Sequence, residues 1–164
     1  MTNTTHEGER LADQIVRAAE GGAWHGPSLH ELLTGVAAAQ AAARPVREAH
    51  SIWELVLHLS GWTREVTRRI RGGPAGAPPA GDWPAVGDTD DAAWDAARAE
   101  LAAAHTELAE VVRALGDDDL SRMVHDEREP PEGTRASVYG TVSGALQHTL
   151  YHAGQMALLR KARH

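Results

Sequence analysis

Residues 51–74 read SIWELVLHLSGWTREVTRRIRGGP. Ile52, Leu55, Val56, Leu59, Trp62, Val66 and Ile70 recur every three or four positions, close to the 3.6-residue period of an amphipathic helix. Ser51 and Glu54 stand at capping-box spacing, and Gly72-Gly73-Pro74 stops the helix after Arg71. A helix apolar along one stripe has to bury that stripe against other elements.

The flanking sequence supplies three partners of the same kind. Toward the N-terminus, Leu11, Ile15, Val16 and Ala19 form a stripe on a helix over Glu7 to Glu20, which Gly21-Gly22 ends. Two short helices are predicted next. Ser28, with Glu31 three positions on, caps the first, and the second follows Thr34 and stops before Pro45. Downstream, residues 72–88 hold five Gly and four Pro and read as a long surface loop. A third long helix is expected from Thr89 or Asp90 to Leu115, facing inward with Trp94, Ala97, Leu101, Leu108, Val111 and Leu115. A turn at Gly116, a helical turn near Asp118–Met123 and a charged loop over 125–136 lead to a last helix from Ser137 to Arg160. The fold expected is an all-α four-helix bundle with long crossover loops and short extra helices near the N-terminus, one domain over residues 1–164.

Composition narrows the functions open to it. The 164 residues carry a net charge of −7 and no run of Lys and Arg able to track a phosphate backbone, so nucleic acid is not an expected partner. There is no Cys, hence no disulfide and no thiolate metal site. MTNTTHEGER lacks the apolar core of a signal peptide, and no stretch approaches the roughly 18 apolar residues of a membrane span. A cytoplasmic protein without membrane contact is expected.

Ten histidines are an unusual number for this length. His148 and His152 lie four apart on the last helix, so both rings leave one face and can converge on one ion. Gly144, one turn earlier, leaves room beside them for a neighbouring helix or a ligand. His58 sits on or beside the apolar stripe of the second long helix, where an unsatisfied ring is costly. Three imidazoles from two helices, with an open fourth position, match the ligand set of a catalytic metal site. His148-Thr149-Leu150-Tyr151-His152 lacks the Glu of H-E-x-x-H, which argues against a zincin peptidase.

Other residues receive plainer readings. His105 is expected to pack in the core, and His50 to end a loop. His25 and His30 are surface residues able to line a pocket mouth, while His6, His125 and His164 sit in termini or loops. Glu54 is assigned to its cap, with a role behind His58 as the alternative. Tyr151 and Gln155 flank the ligand helix and can address a substrate or fix a ring. Trp24, Trp53, Trp62, Trp83 and Trp94 are read as packing anchors.

Three segments together resemble the DinB/YfiT-like superfamily: Trp24-His25-Gly26-Pro27-Ser28-Leu29, the run from Ala49 to Leu59, and Gln147 to Gln155. The resemblance extends from about Trp24 to Lys161. It implies a four-helix bundle, often dimeric, with a divalent metal (zinc, nickel or manganese) on three histidines that match His58, His148 and His152. It also implies thiol-dependent chemistry, since members include S-transferases using low-molecular-weight thiols, a thiol-dependent isomerase, and proteins described as metal-dependent hydrolases.

Three functions follow as expectations. The first is a metal-dependent transferase acting on a small-molecule substrate, with a low-molecular-weight thiol deprotonated at the open metal position. The second is a hydrolase with water at that position and Glu54 or Glu65 as its base. The third is a metal-binding helical homodimer without catalysis.

Overall fold

The computed structural model describes residues 6–126 and 136–162. His164 and most of the loop expected over 125–136 lie outside them. Among the described residues there are seven helices and no strand: α1 (Glu7–Glu20), α2 (Leu29–Leu33), α3 (Ala38–Ala42), α4 (Ile52–Ile70), α5 (Asp91–Arg113), α6 (Asp117–Ser121) and α7 (Val138–Lys161). The four long helices close a ring in which α1 packs on α5 and α7, and α4 packs on the same two. The expected all-α four-helix bundle is present. None of its helices is long and apolar enough to cross a membrane.

Local chemistry sets the helix starts. Ser28 and Ser51 each accept from the backbone of the Glu three residues on, and that Glu accepts from the serine's own N–H. Asp90 and Ser137 cap α5 and α7 through their side chains. A Cβ at Gly8 would stand 2.5 Å from the Leu115 carbonyl oxygen, so the glycine is what allows α1 to meet the end of α5 so closely.

Helix direction follows from side-chain pairing. Arg64 bonds Glu100 and Arg71 bonds Glu107, both at a separation of 36 residues, so α4 and α5 run parallel. His58 meets His148 and His152, whereas Val66 shares a cavity with Thr141 and Ala145, so α7 runs antiparallel to α4. Gly8 against Leu115 and Ala19 across from Leu101 make α1 antiparallel to α5. The order is up, down, down, up.

Parallel neighbours need a connection that returns the whole length of a helix. The 19 residues of α4 span about 28 Å, and residues 71–90 run back along them as a strap. Glu65 takes the Gly76 N–H at 2.9 Å, Pro78 lies on Gly61, and Trp62 Nε1–H donates to Asp82 at 2.7 Å. Arg68 and Arg69 hold the carbonyls of Pro74 and Gly76. Any side chain at Gly61 would crowd Pro78, its Cβ 3.2 Å from that of the proline.

Some inward faces differ from the expected ones. Trp53 and Trp94 are buried anchors, and Trp94 Nε1–H donates to the Val36 carbonyl at 2.7 Å. Trp24 is fully exposed and anchors nothing, because it sits in a turn between α1 and α2. On α5, Val112 is fully buried as well, with the expected Val111 and Leu115 partly buried against the same cluster, Leu115 just beyond the helix end at Arg113.

Glu65 is the main pin of the strap, buried and bonded by Arg68, Arg69 and the Gly76 amide. Burial pushes its carboxyl up, but those hydrogen bonds outweigh burial and hold the pKa below the ordinary 4.5. Its stabilisation is therefore complete above that value and drains as pH falls through the lower, folded-state pKa. Glu65→Gln is expected to cost about 1–3 kcal/mol at neutral pH. Urea midpoints of the two proteins should converge as the pH is taken below the carboxylate range. A gap that stays constant down to the acid limit would show that the Glu65 charge contributes nothing.

Candidate metal centre

The core divides into two apolar clusters, one around Trp53 and Trp94 and one around Ile15, Val66 and Val112. A polar layer lies between them: His58 and Thr63 on α4, His105 on α5, and His148, Thr149 and His152 on α7. Polar groups at such depth need partners. His105 has both of its own, since its Nδ1–H donates to the Leu101 carbonyl at 3.0 Å and its Nε2 accepts from the Thr149 hydroxyl at 3.2 Å. Burial lowers its pKa, so it is a neutral core residue, as expected.

The other three rings converge. His148 Nε2 lies 2.9 Å from His58 Nε2 and 2.9 Å from His152 Nε2. The far nitrogens decide what those contacts are. His58 Nδ1 is 2.7 Å from the Asp82 carbonyl oxygen, and His152 Nδ1 is 2.7 Å from Gln155 Oε1. Both oxygens can only accept, so both Nδ1 atoms carry the proton, and both Nε2 atoms of the neutral rings present lone pairs. One proton on His148 Nε2 can satisfy one neighbour and not both. The cluster thus keeps lone pairs face to face, an arrangement that suits a shared cation at the roughly 2.0–2.1 Å reach of imidazole nitrogen. Among the described residues, these three are the group able to hold a metal ion.

The charge state agrees with that chemistry. Burial, then the neighbouring His152 and His58, lowers His148 to about 4. Burial also lowers His152, against the opposing bond to Gln155. Metal ligation requires neutral imidazole.

The strap supplies what sequence reasoning missed. Asp82 fixes the His58 tautomer through its carbonyl, and its Oδ1 stands 3.3 Å from the same Nδ1. Trp83 lies flat on His58, ring centroids 3.9 Å apart at 10°, and His50 covers its other face at 3.5 Å and 3°. Trp83, read as a packing anchor, is instead a wall of the site, and Trp62 meets His58 edge-on at 6.5 Å. His50 is part of this stack and not merely a loop end. The isolated Asp82-Trp83-Pro84 within a Gly-, Pro- and Ala-rich stretch was the available signal.

The remaining candidates are now placed. Gln155 fixes the ring of His152, and the exposed Tyr151 packs edge-on against it at 5.0 Å. Glu54 is committed to its cap and to Arg44, and Glu65 to the strap, so neither serves as a base beside the cluster. A cavity of about 440 Å³ opens next to His58 and His148, bordered by Trp62, Asp82, Thr141 and Gly144. A Cβ at Gly144 would meet no atom within 4 Å, so the missing side chain leaves room for a ligand and not for another helix.

A model of the DinB superfamily matches residues 23–156. The chain belongs to that superfamily. The match takes in all three clustered histidines and the strap of this DinB bundle, and starts one residue ahead of Trp24, where the sequence resemblance begins. Among proteins of curated function, none matches the chain.

Because the folded pKa of His148 lies below the ordinary 6.5, protonation favours the unfolded chain, and the metal-free DinB bundle should lose stability as pH drops below that value. Histidine side-chain NMR of metal-free protein should find His148 neutral until the pH nears 4. Titration at or above 6.5 would mean that the ring is solvated and the cluster open.

Proposed function

We propose that His58, His148 and His152 hold one divalent ion, with zinc, nickel or manganese as the candidates, and that the protein is a transferase joining a low-molecular-weight thiol to a small electrophile. The reading rests above all on three Nε2 lone pairs converging at the edge of a cavity of about 440 Å³. The chain has no Cys, so a sulfur nucleophile has to be exogenous.

When bound, such an ion supplies a Lewis acid that favours the thiolate over the thiol at neutral pH. The protein's own residues do the rest. Asp82 and Gln155 keep the His58 and His152 lone pairs aimed at one point. Trp83 and Trp62 shield that point on the strap side. Asp82, the carboxylate bordering the cavity, takes the thiol proton and passes it to solvent, being itself half exposed. Gly144 leaves the opposite wall free for the electrophile.

Asp82 also sustains a second reading, hydrolysis, in which it would be the base for water in place of Glu54 or Glu65. The two separate by experiment. Alanine at His58, His148 or His152 should each remove the metal, read by elemental analysis of untagged protein, and conjugation of a model electrophile to a small thiol should fall with it. Gln155→Leu should keep the fold and weaken metal binding about 10–100-fold. Metal content unchanged in all three alanine variants would end the metal reading. Retained metal with turnover that needs no thiol would favour the hydrolase.

The proposal includes a homodimer formed through α7. Its inner face carries Val142, His152, Ala153, Met156 and Leu159, yet Tyr151 and Leu158 on the outer face are 65% and 72% exposed. Gln147, Tyr151, Gly154 and Leu158 alternate steps of four and three, the spacing of a helix–helix seam. A Cβ at Gly154 would meet nothing within 4 Å, so packing inside the chain does not account for that glycine. Sedimentation velocity should find a dimer that Tyr151→Glu with Leu158→Glu converts to a folded monomer. A monomeric wild type would refute this part alone.

A further inference from the structure

A second cavity, of about 420 Å³, lies between α1, α2 and α5 and shares no lining residue with the one beside the histidine cluster. Its size falls within the roughly 300–1,000 Å³ of small-molecule pockets. Leu29, Leu33 and Leu101 give it apolar walls, and Arg98, His30 and Glu20 are its ionisable rim. Ala19 and Ala102 keep it open where larger residues would fill it.

Arg98 is the feature that points to an occupant. Its guanidinium lies 5.8 Å from the centre of the Trp94 ring and gives Nη2 to Asp95, while Nη1 makes no hydrogen bond among the described residues. The side chain is 35% exposed, so this free end of the cation is open to an acceptor at the rim, whereas the buried Nε is closed to the cavity. His30, exposed at the same rim, offers a second ring nitrogen. Glu20 is exposed there too and repels a second negative charge.

We infer that this cavity binds a small amphipathic monocarboxylic acid, with the carboxylate accepting from the free Nη1 end of the Arg98 guanidinium and the hydrocarbon body on Leu29, Leu33 and Leu101. The site is independent of the metal reading, because its residues come from the other side of the bundle. His105 closes its inner end and is already satisfied by Leu101 and Thr149, so the acid gains its polar contacts only at the rim.

Calorimetric titration of the full chain with octanoate, octanol and octanedioate tests this, each with and without a chelator. Octanoate should bind equally in both conditions, and octanol and octanedioate should each bind about tenfold more weakly, the worth of one charge-assisted hydrogen bond. Arg98→Met should reduce octanoate to the level of octanol. Ala102→Trp should abolish binding, and since Ala102 is exposed on α5 its circular dichroism should stay that of the wild type. Three results would each overturn the proposal: octanoate binding lost with the metal, octanol binding as tightly as octanoate, or Ala102→Trp binding unchanged. The first of these would assign the acid to the histidine cluster instead.

Discussion

The parallel course of α4 and α5 governs how this molecule builds its site. Two helices that run the same way cannot be joined by a tight turn, so the chain after Ile70 has to travel back along α4 before α5 begins. A returning segment with nothing to bond would leave backbone polar groups poorly satisfied over an apolar helix face. Here α4 presents Glu65, Arg68, Arg69 and Trp62 toward it, and the strap arrives at His58 with its Asp82 carbonyl and the Trp83 ring in place. The site is therefore made by three segments, and the third is irregular backbone pinned by side chains of the first.

That arrangement also explains the polar layer at mid-bundle. Each imidazole there is held on its Nδ1 side or left to its neighbours. His105 is saturated by Leu101 and Thr149, whereas His58 and His152 spend their only N–H groups on Asp82 and Gln155. The outer contacts leave lone pairs aimed inward, and the difference between His105 and the cluster lies entirely in those second partners. A bundle core could satisfy three buried imidazoles by giving each an acceptor and a donor, as it does for His105. In the cluster it does not, and the contacts that remain are the ones a cation would relieve.

Legibility in the sequence followed periodicity. The residues Leu11, Ile15, Leu55, Val56, Leu59, Leu101 and Leu108 fall on buried faces because a stripe at 3.6-residue spacing has one way to face a core. Ser28, Ser51, Glu31 and Glu54 marked two helix starts by cap chemistry alone. His148 and His152 could be paired by their spacing, and His58 joined to them by its place on a stripe. No comparable rule covers residues 72–88. Gly and Pro announce a loop without saying which helix it lies on, and helix direction is not written in periodicity. Asp82, Trp83 and His50 therefore stayed invisible as site residues, and Trp24, apolar in composition, was assigned to a core it does not enter.

One hydrogen bond, from the Thr149 hydroxyl to His105 Nε2, links the inner end of the second cavity to the helix that carries His148 and His152. Thr149 follows His148 directly in α7, and His105 forms the inner end of the second cavity. A neutral His105 is required for that bond, since a doubly protonated ring has no lone pair to offer Thr149. Burial lowers the His105 pKa and so protects the acceptor. The same burial that keeps the ring neutral thus preserves a bond across the bundle from α5 to the residue beside His148. His105 is in this way a satisfied neighbour of the cluster and not a fourth member of it.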